Sequence, residues 1–167
     1  MKLILLNGPP GSGKSTLARR YADDHPPALA LDVDRVRAMI GGWRTEPGRA
    51  GLLARELTLA AARTHLTAGH DVVVPQLLAR PGFAERLEEL AAETDASFHE
   101  IVLLPDLAET RRRFAGRGES EVETAHPLTE EDLATAYDRV AEYASTRPGA
   151  AILDGETAYQ DFVAALT

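Results

Sequence analysis

The chain has 167 residues, 44% of them hydrophobic and 26% charged, with a formal net charge of −8 and no cysteine. That length is enough for one α/β core, and the missing cysteine excludes disulfides, thiolate zinc sites and cysteine nucleophiles. The acidic balance argues against long nucleic acid as a partner, no apolar run reaches the length of a membrane span, and no signal-peptide pattern opens the sequence, so a cytoplasmic protein is expected.

Lys2–Asn7 (KLILLN) has the length and apolar content of a strand, and Thr16–Asp24 begins a helical pattern with Leu17, Ala18 and Tyr21 on one face. Between them, Gly8 to Ser15 read Gly-Pro-Pro-Gly-Ser-Gly-Lys-Ser, a full match to the phosphate-loop pattern G-x-x-x-x-G-K-[ST]. A strand, a glycine-rich turn and a helix N-terminus in this order aim backbone N–H groups and the positive end of the helix dipole at one point, which suits polyphosphate. The nucleotide-binding set is therefore Gly8, Gly11, Ser12, Gly13, Lys14, Ser15 and Thr16. The glycines permit close backbone approach, Lys14 reaches the β- and γ-phosphates, and the Ser15 hydroxyl is a ligand for Mg²⁺. A chance glycine-rich turn would not bring the correct flanks with it.

Ala28–Val33 reads as the second strand and Val33–Ile40 as a short helix, with Asp32, Asp34 and Arg37 at their junction. Two aspartates two residues apart can both face the carboxyl edge of a parallel sheet, where ligands gather. Asp34 is then a candidate base for an acceptor hydroxyl, Asp32 a candidate for organising Mg²⁺ through water, and Arg37, one helical turn on, a partner for an anionic acceptor or the phosphates. The competing account makes Asp32 or Asp34 a helix cap.

The loop Gly41–Gly48 carries the only tryptophan, Trp43, beside Arg44, and the long helix Arg49–Ala68 follows. A third strand at Asp71–Pro75 runs into Gln76, with Arg80 close behind, and helix Pro81–Glu93 comes next. Further on lie a strand at Ser97–Leu104, a helix at Leu107–Ala115 ending in Arg111, Arg112 and Arg113, and a polar stretch at Gly116–Leu128. Helix Thr129–Thr146 opens with Thr129 and Asp132 in capping-box spacing, and strand Ala150–Asp154 with helix Thr157–Leu166 completes the chain. Strands alternating with helices imply parallel βαβ units, hence an α/β fold, and no linker divides residues 1–167 into more than one domain.

The loop Gly8–Ser15, with the D-x-D-x-x-R segment Asp32–Arg37, resembles the small P-loop kinases: chloramphenicol phosphotransferase-like, zeta-toxin, adenylylsulfate and shikimate kinases, and the kinase module of polynucleotide 5′-kinases. The resemblance implies a three-layer α/β/α P-loop NTPase fold with a five-stranded parallel sheet in the order 2-3-1-4-5 and a small lid at about residues 116–128. It places the acceptor base at Asp34 and the phosphate-neutralising lid arginines at Arg113 and Arg117, with a solvated basic face paired to Glu109 as their alternative. Many P-loop enzymes carry an acid after strand three; Gln76 stands there instead, either contacting substrate or a metal-bound water, or serving as an ordinary loop residue.

Trp43, Arg44, Gln76 and Arg80, together with Asp34 and Arg37, make up the expected acceptor side, although Trp43 reads equally as a packing residue. The resulting expectation is an ATP- and Mg²⁺-dependent kinase acting on a hydroxylated small molecule, as a monomer or weak dimer. The rival readings are a 5′-hydroxyl polynucleotide or nucleoside kinase, and a nucleotide-hydrolysing switch acting through a protein partner.

Overall fold

In β1 (Lys2–Asn7), Leu3, Ile4, Leu5 and Leu6 are all fully buried, which requires cover on both faces of the sheet. The computed structural model describes residues 1–116, 127–154 and 159–167. β1 lies at the centre, flanked by β3 (Val72–Pro75) in the register Leu3↔Val72 and by β4 (Ser97–Leu103) in the register Lys2↔Ser97. β2 (Leu29–Ala30) pairs with β3, and β5 (Ala151–Leu153) pairs with β4. The five strands are parallel and ordered β2-β3-β1-β4-β5, the order implied by the kinase resemblance.

The helices are α1 (Lys14–Asp24), α2 (Val33–Ala38), α3 (Pro47–Thr67), α4 (Gly82–Glu93), α5 (Leu107–Gly116), α6 (Glu130–Ser145) and α7 (Tyr159–Ala164). Strand alternation sorts them into two layers. Leu3, Leu5, Val72 and Val74 pack with Ala54, Ala62 and Leu66 of α3, Leu87 and Leu90 of α4, and Val140 and Tyr143 of α6. Ile4, Leu6, Val73 and Ile101 face the other way, against Ala18 and Tyr21 of α1 and Phe162 of α7.

β2 departs most from its sequence pattern. The expected strand Ala28–Val33 shortens to two residues, although Leu31 N still donates to Val73 O at 2.8 Å. Asp32 stops it: this residue is the N-cap of α2, and its Oδ1 accepts from Asp34 N at 3.0 Å. At the start of α3, Pro47 extends the helix two residues upstream of Arg49, since the first helical position needs no N–H and suits a proline φ. The capping box of α6 forms as its spacing predicts, with Thr129 Oγ1 accepting from Asp132 N at 3.1 Å and Thr129 N donating to Asp132 Oδ2 at 2.9 Å.

One buried polar cluster ties β4 to its covering helices. The carboxylate of Glu100 accepts from the Tyr143 hydroxyl on α6 and from Arg147 Nε at 2.8 Å, and Arg147 Nη2 reaches Glu88 on α4 at 3.0 Å. No helix among the described residues is long and apolar enough to cross a membrane. The expected lid falls mainly on residues 117–126, outside the described residues, and Arg117 with it.

Candidate active site

β1 delivers the chain to the carboxyl edge of the sheet at Asn7, whose side chain is fully buried and bonded through both its oxygen and its nitrogen. Its Oδ1 accepts from Gly8 N at 2.7 Å and from Leu78 N at 2.8 Å, while Nδ2 donates to Leu78 O at 3.1 Å. One amide thus fixes both the first residue of the phosphate loop and the loop after β3. Nothing in the motif pattern marks Asn7; the available signal was a polar residue closing an otherwise apolar buried strand.

The loop then turns back on itself. Gly13 caps α1 in the left-handed conformation at φ 95°, a backbone geometry that favours glycine, and Leu17 N donates to Gly13 O at 3.0 Å. In the first turn of α1, the N–H groups of Lys14, Ser15 and Thr16 have no carbonyl four residues back within the helix and are directed beyond its end. Gly11 has φ 84° and is tightly packed: a Cβ there would sit 3.1 Å from Phe114 N and 3.3 Å from Thr110 O, both in α5. α5 can approach the phosphate loop closely because that side chain is absent. Lys14 Nζ donates to Gly8 O and Pro9 O, each at 2.8 Å, so its ammonium lies over the loop.

A cleft of about 420 Å³ opens here, lined by Gly11, Gly13, Lys14, Ser15, Thr16, Arg112, Arg113 and Gly116. Gly8 and Ser12 are buried within the loop itself. Arg113 and Arg112 thus both line this cleft, which the place of Arg112 in a basic run does not reveal. Both guanidiniums are gathered by Glu109: Arg112 Nε and Nη2 each donate to its carboxylate at 2.7 Å, and Arg113 Nε donates to the same Oε1 that Nη2 uses. The two arginines hold the Glu109 carboxyl down at about 2.

Ser15 connects this cleft to the start of α2. Its Oγ donates to Asp32 Oδ2 at 3.0 Å, while the other Asp32 oxygen caps α2, so Asp32 is both a cap and a neighbour of the Ser15 hydroxyl. Asp34 follows in the first turn of α2, its side chain half exposed and its Oδ1 3.0 Å from Arg37 Nη2. Arg37 Nε is buried and has no hydrogen-bond partner among the described residues.

Gln76 prolongs the β3 ladder, with its N donating to Leu6 O at 2.9 Å. Its side-chain Nε2 reaches Leu77 O at 3.4 Å, and its Oε1 is buried without a partner among the described residues. Trp43 is buried with Ala50, against Ala38 and Ile40, and the Arg44 guanidinium lies 4.4 Å from its ring centroid. Arg80 is exposed on the loop after β3. None of Asp34, Arg37, Trp43, Arg44, Gln76 and Arg80 lines the phosphate cleft; Asp34 and Arg37 are on α2, Trp43 and Arg44 in the loop between α2 and α3, and Gln76 and Arg80 in the loop after β3.

A parallel sheet in this order, with a glycine loop wrapped at the N-terminus of the first helix, defines a P-loop nucleotide-binding domain with the fold of the small P-loop kinases. A family model described as an AAA domain matches residues 3–143, and the chain belongs to that family. Among solved structures it is similar to a sugar kinase from Janibacter sp. HTCC2649, at 14% identity and TM-score 0.68 over 99% of this chain and 92% of that one. It is also similar to a gluconokinase from Sinorhizobium meliloti 1021, at 18% identity and TM-score 0.65 over 98% and 88% of the two chains. A tunicamycin resistance protein from Deinococcus radiodurans gives 18% identity and TM-score 0.64 over 98% and 91%. No curated protein sequence matches the chain.

Proposed function

We propose that this protein is an ATP-dependent kinase that moves the γ-phosphate to a hydroxyl of a small molecule, with Asp34 as the acceptor base. The observation that carries this reading is the continuous arrangement from phosphate loop to acceptor side: Ser15 bonds Asp32, Asp32 caps α2, and the cap sets the half-exposed Asp34 carboxylate one step further from the phosphates. In the reaction, Asp34 takes the proton of the acceptor hydroxyl as its oxygen forms a bond to the γ-phosphorus. The bond from that phosphorus to the β–γ bridging oxygen breaks, and ADP leaves. Lys14 and Arg113 neutralise charge on the equatorial oxygens, a role that Arg117 shares in this reading. The kinases among the structures of the same fold support this class of reaction.

The donor set suits magnesium. The Ser15 hydroxyl would be a ligand and the Asp32 carboxylate, 3.0 Å from it, would hold the ion through water; both are hard oxygen donors. Bound there, the ion would supply charge neutralisation at the phosphates. Arg37, Gln76, Arg80, Trp43 and Arg44 form the acceptor side, where the unpartnered Arg37 Nε–H and Gln76 Oε1 offer one donor and one acceptor. In this reading residues 1–167 act as one kinase domain with its lid at about 116–128.

The test is a transfer screen with γ-labelled ATP and Mg²⁺ against pools of nucleosides, sugars, hydroxylated antibiotics and a 5′-hydroxyl oligonucleotide. Label is expected in one small-molecule pool. Asp34→Asn is expected to lower that transfer by about a hundredfold or more while nucleotide affinity stays near wild type. Label released only as phosphate, at the same rate in the variant, would move the assignment to a nucleotide-hydrolysing switch.

A further inference from the structure

Arg112 and Arg113 are neighbours in sequence and both line the phosphate cleft, so two positive charges must be held side by side before any nucleotide arrives. Left alone they would repel each other and splay into solvent. Glu109 prevents this. One of its oxygens accepts from both residues, and the second completes a bidentate pair with Arg112. A surface i,i+3 or i,i+4 pair contributes little because both partners stay solvated. Here the Glu109 side chain is only 15% exposed, beneath an Arg113 at 31% and an Arg112 at 76%. The helix that carries all three is itself seated on the phosphate loop at Gly11, where a Cβ would lie 3.1 Å from Phe114 N and 3.3 Å from Thr110 O. Helix placement and side-chain placement therefore converge on the same cleft.

We propose that Glu109 is a positioning residue for phosphoryl transfer: its carboxylate holds the Arg112 and Arg113 guanidiniums together against the phosphate loop, so that both meet the transferring group already aimed. The inference rests on the kinase reading only in requiring that phosphoryl transfer occur in this cleft, whether to an acceptor or to water. The carboxylate takes no proton from the substrate and touches none of the reacting atoms. Its contribution is to organise the two guanidiniums in advance, and a misplacement on the scale of an ångström in such a group costs rate far more than affinity.

The test compares Glu109→Gln, Glu109→Asp, Arg113→Ala, the double variant Glu109→Gln/Arg113→Ala and the control Arg111→Ala. Each is assayed for ATP turnover, for nucleotide Kd with a fluorescent ATP analogue, and for thermal melting. Glu109→Gln is expected to lower kcat by roughly 10- to 100-fold with little change in nucleotide Kd. Glu109→Asp, which keeps the charge on a shorter stem, should recover part of that loss, and Arg111→Ala should match wild type. The double variant should lose clearly less than the product of the two single losses, because Glu109 acts in part through that guanidinium and in part through Arg112.

A folded Glu109→Gln with wild-type kcat would overturn the proposal, as would a loss confined to nucleotide Kd, or fully additive losses in the double variant. Wild-type protein that neither binds the analogue nor turns ATP over would bring down the kinase reading itself, and this proposal with it.

Discussion

Asn7 shows how much of a site can hang on a residue outside the recognised motif. It is fully buried, and its amide saturates three backbone groups: Gly8 N, Leu78 N and Leu78 O. Asn7→Ala strands all three in a place water does not reach, at about 1–3 kcal/mol for each unsatisfied group. The expected result is a loss of roughly 3 kcal/mol or more in urea unfolding, together with weaker nucleotide binding, since Gly8 opens the phosphate loop. A variant as stable as wild type would show that the loop holds itself. The phosphate-loop residues were legible in sequence because their pattern is short and contiguous. The close packing at Gly11 was not, since it depends on Thr110 and Phe114 about a hundred residues away. The same is true of Arg112, which only the placement of α5 brings to the cleft.

The elements β2 and α2 meet at Asp32, and their boundary decides where α2 begins. Apolar patterning alone runs the strand on to Val33, whereas the cap bond from Asp34 N to Asp32 Oδ1 ends it at Ala30. Length and apolar content located every strand core and every described helix. They miss strand ends that are decided by one side chain bonding its own backbone, as at Asp32, and helix starts decided by a proline, as at Pro47.

The two oxygens of Asp32 make the junction testable. Asn caps helices as well as Asp does, so Asp32→Asn should keep the Oδ1 bond and melt within about 0.5 kcal/mol of wild type. It removes the charge beside Ser15, however, and should raise the Mg²⁺ needed for half-maximal nucleotide binding by roughly tenfold or more. Asp32→Ala should lose the cap and raise the Mg²⁺ requirement together. Equal Mg²⁺ requirements in Asp32→Asn and wild type, measured by nucleotide titration at varied Mg²⁺, would leave Asp32 as a cap alone.

At the scale of the whole molecule, the polar cluster that locks the layers and the phosphate cleft lie in different parts of the fold. Glu100 sits opposite Leu5 in the β4–β1 register and is held by Tyr143 and Arg147 among the helices of one face, whereas the cleft lies beyond the carboxyl ends of the strands. Arg147→Ala leaves Glu100 as a buried carboxylate with its charge uncompensated, and breaking such a pair costs about 3–5 kcal/mol. Nucleotide stabilises only the folded state, by about 2.7 kcal/mol at a hundredfold excess over Kd. If the cluster locks the layers without shaping the cleft, the two terms are independent. Arg147→Ala should then melt well below wild type without ligand, and gain the same stabilisation from ATP and Mg²⁺ at equal saturation. Paired denaturant titrations with and without nucleotide measure both quantities. A smaller ligand increment in the variant would mean that the cluster also sets the geometry of the phosphate loop, transmitted along β4 to β1 and so to Asn7.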